Sequence, residues 1–140
     1  MGYLDEVAAV IELGTSEAGT GSEFPIFRGH MPDSTVLGDK AVALVMTGGA
    51  ADDARVEIDR PGLQVMVRGA SIQQASTAYE EAEGVMLLVK NALHEFTGQP
   101  SSSAFHYVGI WQRSGPTFLG FDQSWRPRFS TNFRVQRSRT

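Results

Sequence analysis

Residues 73 to 96, QQASTAYEEAEGVMLLVKNALHEF, decide the fold of this chain because they form its longest stretch with a clear period. Apolar side chains recur there three and four positions apart, a spacing that places them on one side of a helix. The stripe consists of Ala75, Ala78, Tyr79, Ala82, Val85, Met86, Val89, Ala92, Leu93 and Phe96. Because burying a large apolar side chain contributes about 1.5 to 3 kcal/mol, this helix is expected to anchor the fold.

Local signals at the start and in the middle of this helix lead to two further expectations. Ser71 and Gln74 predict a capping box at its start. Gly84 lies in its interior, where glycine costs about 1 kcal/mol relative to alanine. We therefore expect Gly84 to mark close packing of the helix against a sheet.

At the N-terminal end, the sequence predicts a short helix followed by a loop. Residues 3–13 have apolar side chains on one side and two acids in the first turn, and Gly14 is expected to end the helix. Residues 14–23 are rich in glycine, serine and threonine, which predicts a mobile loop.

Three strands are expected between this loop and the long helix. Residues 24–28 predict an edge strand, since Pro25 lacks the amide that a central strand would use. Residues 41–47 are almost continuously apolar, which indicates a buried strand. Between Gly62 and Gly69, apolar and other side chains alternate with a period of two, which indicates a half-buried strand.

The chain beyond the long helix is predicted to return to strands. The first is expected at 104–112, a turn at 114–116, a second strand at 117–121, a connection at 122–127 and the last strand at 128–136. In the last strand one face carries Phe129, Thr131, Phe133 and Val135, and the other carries Arg128, Ser130, Asn132, Arg134 and Gln136. The expected fold class is therefore α/β (α+β): a mixed, mostly antiparallel sheet of about six strands, with one long and one short N-terminal helix packed on one face.

Length and composition bound the class of protein. A chain of 140 residues is the size of one domain, residues 1–140, with 41% hydrophobic and 20% charged residues as in soluble globular proteins. No apolar run reaches the length of roughly 18 residues that a membrane span needs, and the acidic first residues do not resemble a secretory signal. Without cysteine, the chain has no disulfide, no thiolate metal site and no cysteine nucleophile.

The charge is divided unevenly along the chain. Six of its twelve Lys and Arg residues lie within residues 113–140, where Asp122 is the single acid. The net charge of −4 thus combines about −9 on residues 1–112 with about +5 on 113–140. A domain polarised in this way suits contact with an oppositely charged surface, including another copy of itself.

We find no catalytic or cofactor motif in the sequence. His30, His94 and His106 have no metal-ligand spacing, and no serine lies in a nucleophile motif. The glycine-rich residues 14–22 lack the lysine of a phosphate loop. We therefore expect no enzyme activity, no cofactor and no metal.

An acidic run, formed by Asp52, Asp53, Glu57 and Asp59, allows three interpretations. Its oxygen ligands suit a hard cation, but the spacing does not match an EF-hand loop. A solvated connection is the simpler explanation. If the run faces a channel that DNA crosses, its charge would repel phosphate, and we include it as a hypothetical lumen loop.

The basic C-terminal part allows two interpretations. Lys and Arg at a surface can bind phosphate, and aromatic residues can stack on bases. However, Phe129 and Phe133 lie opposite the arginines of the last strand, so they are better explained as core residues. The alternative is a protein interface with acidic neighbours, for which the planar guanidinium is suited.

Several short motifs, taken in order, resemble the minor capsid or tail terminator proteins of long-tailed bacteriophages. They are Met31-Pro32-Asp33-Ser34, Thr47-Gly48-Gly49, Pro61-Gly62-Leu63-Gln64-Val65-Met66-Val67-Arg68-Gly69, the helix of 75–96, Ser114-Gly115-Pro116, Leu119-Gly120-Phe121-Asp122 and Phe129-Ser130-Thr131-Asn132-Phe133. The resemblance covers about residues 24–137. It implies an α/β subunit that forms a six-fold ring, caps the tail tube and joins it to the head-side connector, without catalytic residues.

The resemblance also implies partners and a location. The partners would be other copies of the chain in a hexamer, the tail tube protein, a head-closure or connector protein, and genomic DNA that passes without specific binding. Assembly would occur in the host cytoplasm and the product would be in the tail or neck of the virion, with no membrane partner. The hypothetical interface residues are Gln64, Arg68, Arg126, Arg128 and Arg134. For Gln64 and Arg68 a buried polar contact is the alternative.

Two alternatives remain open at this point. The first is a head-closure or minor capsid neck protein, and the second is a nucleic-acid-binding protein that uses the arginine-rich last strand. Residues 137–140 form a polar end in which Arg137 and Arg139 are expected to order only on assembly.

Overall fold

The computed structural model of the chain describes residues 2–17, 24–31, 40–48, 58–73, 75–100 and 105–139, without the side chains of 15–17 and 139. Its elements in chain order are α1 (Tyr3–Glu17), β1 (Ile26–Arg28), β2 (Ala41–Thr47), β3 (Ile58–Asp59), β4 (Gly62–Arg68), α2 (Ala78–Leu93), β5 (Phe105–Phe121) and β6 (Pro127–Arg139).

The six strands form one mixed sheet whose centre is the last strand, β6. The order β1-β2-β4-β6-β3 has β5 as an additional partner of β6. Only β1 and β2 run parallel, and all other pairs are antiparallel. The predicted α+β class with a mostly antiparallel sheet of six strands is confirmed.

The core lies between the sheet and the two helices. Strand side chains such as Leu44, Leu63, Val65 and Phe133 are almost fully buried there. The helix α2 buries Ala78, Ala82, Val85, Met86, Val89 and Leu93, which all belong to the predicted stripe. The periodic pattern therefore correctly identified the face of α2 that packs on the core.

The bounds of α2 differ from the prediction of 73–96. It begins after Thr77, which makes no side-chain cap, and Ser71 Oγ instead accepts a hydrogen bond from the Gln73 amide. Gln74 is outside the described residues, and the predicted capping box is wrong because its Ser71 lies six residues before the helix. At the other end, His94 is extended and Glu95 has a φ of 66°, so the helix stops at Leu93.

The contact between the helices depends on Gly14 and not on Gly84. The helix α1 continues through Gly14 to Glu17, so the predicted end at Gly14 is wrong; residues 18–23 of the predicted loop are outside the described residues. A Cβ on Gly14 would lie 2.6 Å from Ala92 Cβ, which shows that α1 and α2 approach closely at this residue. A Cβ on Gly84 would meet nothing within 4 Å, so close packing at Gly84 is not observed.

The expected turn at Ser114-Gly115-Pro116 is absent, and residues 105–121 form one irregular strand. Ser114 still pairs with Asn132, and Thr117 pairs with Ser130, on the two sides of a bulge. The Gln112 amide group bridges the irregularity by donating to the Gly115 carbonyl. Two predicted strands are therefore one, and the count of six is reached because β3, which was not predicted, pairs with the end of β6.

Candidate interaction surface

The two faces of β6 separate buried from more accessible side chains. Phe129, Thr131, Phe133 and Val135 are all buried under the helices or the curled end of β5, as the alternation predicts. Of the opposite face, Arg134 is exposed, Arg128, Asn132 and Gln136 are partly buried, and Ser130 is buried. Among the side chains of β6 that the structure describes, Arg134 is therefore the exposed charge.

An open cleft of about 880 Å³ lies around Arg134. We call it the arginine cleft, and its walls include Gly48, Arg60, Trp111, Arg113, Asn132 and Arg134. The Arg134 guanidinium lies 5.6 Å from the centre of the Trp111 ring, a distance at which the cation is attracted to the ring face. None of the described residues that line the cleft carries a carboxylate, so this lining has a net positive charge.

Gln64, Arg68 and Arg128 lie on the same face of the sheet as Arg134. Gln64 Nε2 donates to Ser130 Oγ over 3.1 Å, so this side chain is used within the subunit. Arg68 is 4% exposed and lies opposite Arg128, whereas Arg134 lies opposite Gly62. Six residues of strand, about 20 Å, therefore separate the Arg68–Arg128 pair from Arg134.

Arg128 lies in a less accessible position than the sequence implies. Its side chain is partly buried, and its Nε is a buried donor without a hydrogen-bond partner among the described residues. A buried guanidinium N–H without an acceptor is costly. Membership of the polar face of the last strand therefore does not make the whole Arg128 guanidinium accessible.

Arg126 is held inside the connection between β5 and β6. It is 3% exposed, and its Nε donates to Asp122 Oδ2 over 2.8 Å. The Asp122 carboxylate also accepts the amide hydrogens of Ser124 and Arg126. Burial alone would raise the pKa of Asp122, but these hydrogen bonds and the guanidinium hold that pKa below its usual value. Arg126 is therefore not available to a partner.

Arg137 connects three elements and is not part of a disordered end. Its guanidinium contacts Glu6 Oε1 at 2.8 Å and Asp59 Oδ2 at 2.7 Å, joining β6 to α1 and β3. Tyr107 donates its hydroxyl hydrogen to the same Glu6 oxygen over 2.8 Å. Burial would lower the pKa of Arg137, but the hydrogen bonds with Asp59 and the charge of its neighbours raise it. The expectation that Arg137 orders only on assembly is wrong, because both acids lie far away in the sequence but close in the fold.

A comparison with models of known protein families identifies the family of this chain. A family model described as "Bacteriophage tail terminator protein" matches residues 8–139. The chain belongs to the bacteriophage tail terminator family. A search of curated proteins gives no match to it.

The family match confirms the resemblance drawn from short motifs and gives this protein a structural role in the phage tail. A terminator of this family is a component of the virion tail and contacts other tail or head proteins.

The acidic residues expected in a lumen loop are only partly described. Asp52, Asp53 and Glu57 lie outside the described residues, and Asp59 is paired with Arg137. Among the described residues no group of three or more His, Asp or Glu side chains could hold a metal ion. No helix within the described residues is long and apolar enough to cross a membrane.

The residues of the arginine cleft that were not among the predicted interface residues include Arg60, Trp111 and Arg113. Arg113 belongs to the basic C-terminal part. Because a turn was expected directly after it, the sequence did not predict that Arg113 lines the same cleft as Arg134. Trp111 and Arg60 come from β5 and from the residue before Pro61, and only the pairing of β4 and β5 with β6 brings them together. Of Arg60, Trp111 and Arg113, only Arg113 had a signal in the sequence, which is its place in the basic C-terminal part.

Proposed function

We propose that this tail terminator forms a six-membered ring that caps the tail tube and joins it to the head-side connector. The match to the tail terminator family over residues 8–139 supports the role in the tail. A closed ring requires a heterologous interface, in which two different surfaces of each subunit meet. The uneven charge of the chain supports contacts between unlike surfaces.

The arginine cleft is the observation that carries the proposal for a partner surface. Arg113 and Arg134 are exposed in it, and no carboxylate of the described lining residues neutralises them. Guanidinium groups in an open cleft are suited to carboxylates of a protein partner, because they form two parallel hydrogen bonds with each. We assign the cleft to an acidic surface of the tail tube protein or the connector.

Genomic DNA is proposed to pass through the ring without specific binding. The acidic residues Asp52, Asp53 and Glu57 would discourage phosphate from adhering if their segment lines the channel. Asp59 does not take part in this proposal, because it is used by Arg137.

The experiment is complementation of a phage that lacks its own terminator with Arg134→Glu. The charge reversal should leave the subunit folded, because Arg134 is exposed, but reduce joined particles at least about 100-fold. Like-charge contact costs several kcal/mol, and each 1.4 kcal/mol is about tenfold. Particle counts and tail lengths by electron microscopy give the readout.

Arg28→Glu is the matched control, since Arg28 is an exposed arginine at the edge strand β1 and pairs with Asp5. It should support normal joining. Normal joining by Arg134→Glu would contradict the assignment of the cleft. A monomer that binds DNA with a steep salt dependence would favour the nucleic-acid alternative. If the protein lies away from the head-tail junction in assembled particles, the alternative of a head-closure or minor capsid neck protein is favoured.

A further inference from the structure

An exposed aromatic surface lies where β5 leads into β6. Eight large hydrophobic side chains are exposed among the described residues, and four of them lie within eight positions of each other: Phe118, Leu119, Phe121 and Trp125. We call these four residues the aromatic edge. Single exposed apolar side chains are common, but a continuous group marks an interaction site.

The aromatic edge is held rigidly on the core. The Phe118 ring lies 5.1 Å from that of Tyr79 in α2 and 5.3 Å from that of Phe129 in β6. The Phe121 ring meets the Phe118 ring edge to face, with 5.3 Å between the ring centres, and the Trp125 ring lies 6.3 Å from that of Phe121. Rigid aromatic side chains lose little conformational entropy on binding and therefore supply much of the energy at protein interfaces.

The backbone beside the aromatic edge is also open to a partner. Residues 117–121 pair with β6 on one side, and among the described strands none pairs with their other side. An apolar strand edge of this kind promotes association with another chain unless a partner covers it.

A groove of about 450 Å³ lies at the other end of α2. We call it the α1 groove, and its walls include Ala9, Leu13, Phe96 and Pro100. Leu13 is 62% exposed, so the groove presents apolar surface to solvent. Tyr79 and Leu93 mark the two ends of α2, so about 20 Å separates the aromatic edge from the α1 groove.

The two surfaces are complementary in shape and in charge. The aromatic edge protrudes, whereas the α1 groove is concave and apolar. Arg128 pairs with Gly120 of the segment that carries the aromatic edge, and its partly accessible guanidinium supplies a positive charge there. Glu12 lines the groove, and Glu95 precedes Phe96 with a side chain that is 77% exposed.

We propose that the aromatic edge of one subunit docks in the α1 groove of a second copy of this chain, which forms the head-to-tail contact of the ring. This proposal rests on the ring of the proposed function and assigns its two contact surfaces. Different surfaces at opposite ends of one subunit are what a heterologous, ring-closing contact requires. Docking also brings the exposed Glu95 beside the groove near Arg128 and the Trp125 indole N–H.

The test uses the absence of cysteine from the chain. The double variant Leu13→Cys with Leu119→Cys is treated with a flexible bismaleimide, both as concentrated protein and in assembled tails. Denaturing electrophoresis should show a ladder from dimer up to the full ring. Each single variant should stay monomeric on the gel. A cross-link at the proposed contact needs the cysteine at position 13 on one subunit and the cysteine at position 119 on the next, and a single variant supplies only one of these two positions.

One mixture and one control variant sharpen the result. The two single variants combined should give a dimer and nothing larger, since each lacks one reactive surface. Met46→Cys with Leu119→Cys is the matched control, because Met46 is as exposed as Leu13, at 62%, but lies outside the groove. This control should give no ladder.

Three results would overturn the proposal: a monomer from the Leu13–Leu119 double variant in solution and in tails, dimers from either single variant, or an equal ladder from the Met46 control. The role in the tail is judged separately by complementation. A double variant that restores tails but gives no ladder would refute the contact alone, and a ladder without restored tails would refute the proposed role.

Discussion

The arginines of this chain differ in whether a carboxylate of the same chain lies within reach. Arg126 contacts Asp122, and Arg137 contacts Glu6 and Asp59, so these cations hold the subunit together. Arg113 and Arg134 lie in an open cleft whose described lining residues include no acid. The basic charge of the C-terminal part is therefore divided between internal contacts and a surface for partners.

Replacing Asp122 by alanine should destabilise the subunit by on the order of 3 kcal/mol. The substitution removes the acceptor of two backbone amides and the ion pair of Arg126, which is 3% exposed. The pKa of Asp122 is lowered by folding, so its contribution is present above the unfolded pKa of about 3.9 and is lost as the pH falls through the folded value.

Urea unfolding of the wild-type chain and the Asp122→Ala variant between pH 7 and pH 3 would measure this contribution. The difference in unfolding free energy should be largest at neutral pH and should shrink towards pH 3. Glu83→Ala, at an exposed position of α2, serves as the control and should change stability by less than about 0.5 kcal/mol. A difference that does not depend on pH would contradict the role of the carboxylate.

Among the elements, those with a strong local pattern could be predicted from the sequence. The strand β2 was found from its continuous apolar run, β4 from its alternation, and the buried face of α2 from its helical period. These patterns follow from burial, because a buried position is occupied by an apolar residue and an exposed position by a polar one. The ends of α2 could not be read in the same way, because they are set by Glu95 and Thr77, where no strong stop signal or cap is present.

Strand β5 shows why a turn signal can be overruled. Gly115 and Pro116 favour a turn, but Gly115 adopts a φ of 92° within a bulge while the strand continues along β6. An irregular strand is tolerated there because its outer side lacks a partner strand among the described residues. The distinction between a bulge and a turn depends on β6, which lies later in the chain.

The two glycines of the helices should respond in opposite ways to alanine. Gly84→Ala should raise the free energy of unfolding by about 0.5 to 1 kcal/mol, because alanine favours the helix and nothing lies within 4 Å of its Cβ. Gly14→Ala should lower it, because the added Cβ would lie 2.6 Å from Ala92 Cβ and α1 must move away.

Thermal and urea unfolding of both variants give the measurement, and each glycine serves as the control for the other. If both substitutions stabilise the chain to the same extent, Gly14 does not mark a close contact between α1 and α2.

At the scale of the molecule, the candidate site was only partly predictable. Arg134 was predicted as an interface residue because it lies between the apolar Phe133 and Val135 and so belongs to the opposite face of β6. Arg60 and Trp111 reach the same cleft only through strand pairing. The contact of Arg137 with Glu6 spans 131 positions, so no local pattern reports it. Residues brought together by a central strand cannot be recognised from their own neighbourhoods.

The two proposed contacts of the subunit should respond differently to salt. Raising sodium chloride from 0.1 to 1 M shortens the screening length from about 10 Å to about 3 Å, which weakens the arginine cleft but not the burial of the aromatic edge. Co-sedimentation of the protein with terminator-deficient tails should therefore decrease, while the cross-linked ladder persists. Arg134→Glu should bind weakly at both concentrations. Binding that does not change with salt would contradict an electrostatic contact at the cleft.

The central position of β6 has a consequence for synthesis on the ribosome. Strands β3, β4 and β5 all pair with residues 127–139, so the sheet cannot close until this segment has left the exit tunnel. Until then the nascent chain exposes Phe118, Leu119 and Phe121 without the strand that supports them. Closure of the sheet therefore waits until residues 127–139 have been synthesised, and before that point the exposed apolar residues are a binding site for chaperones.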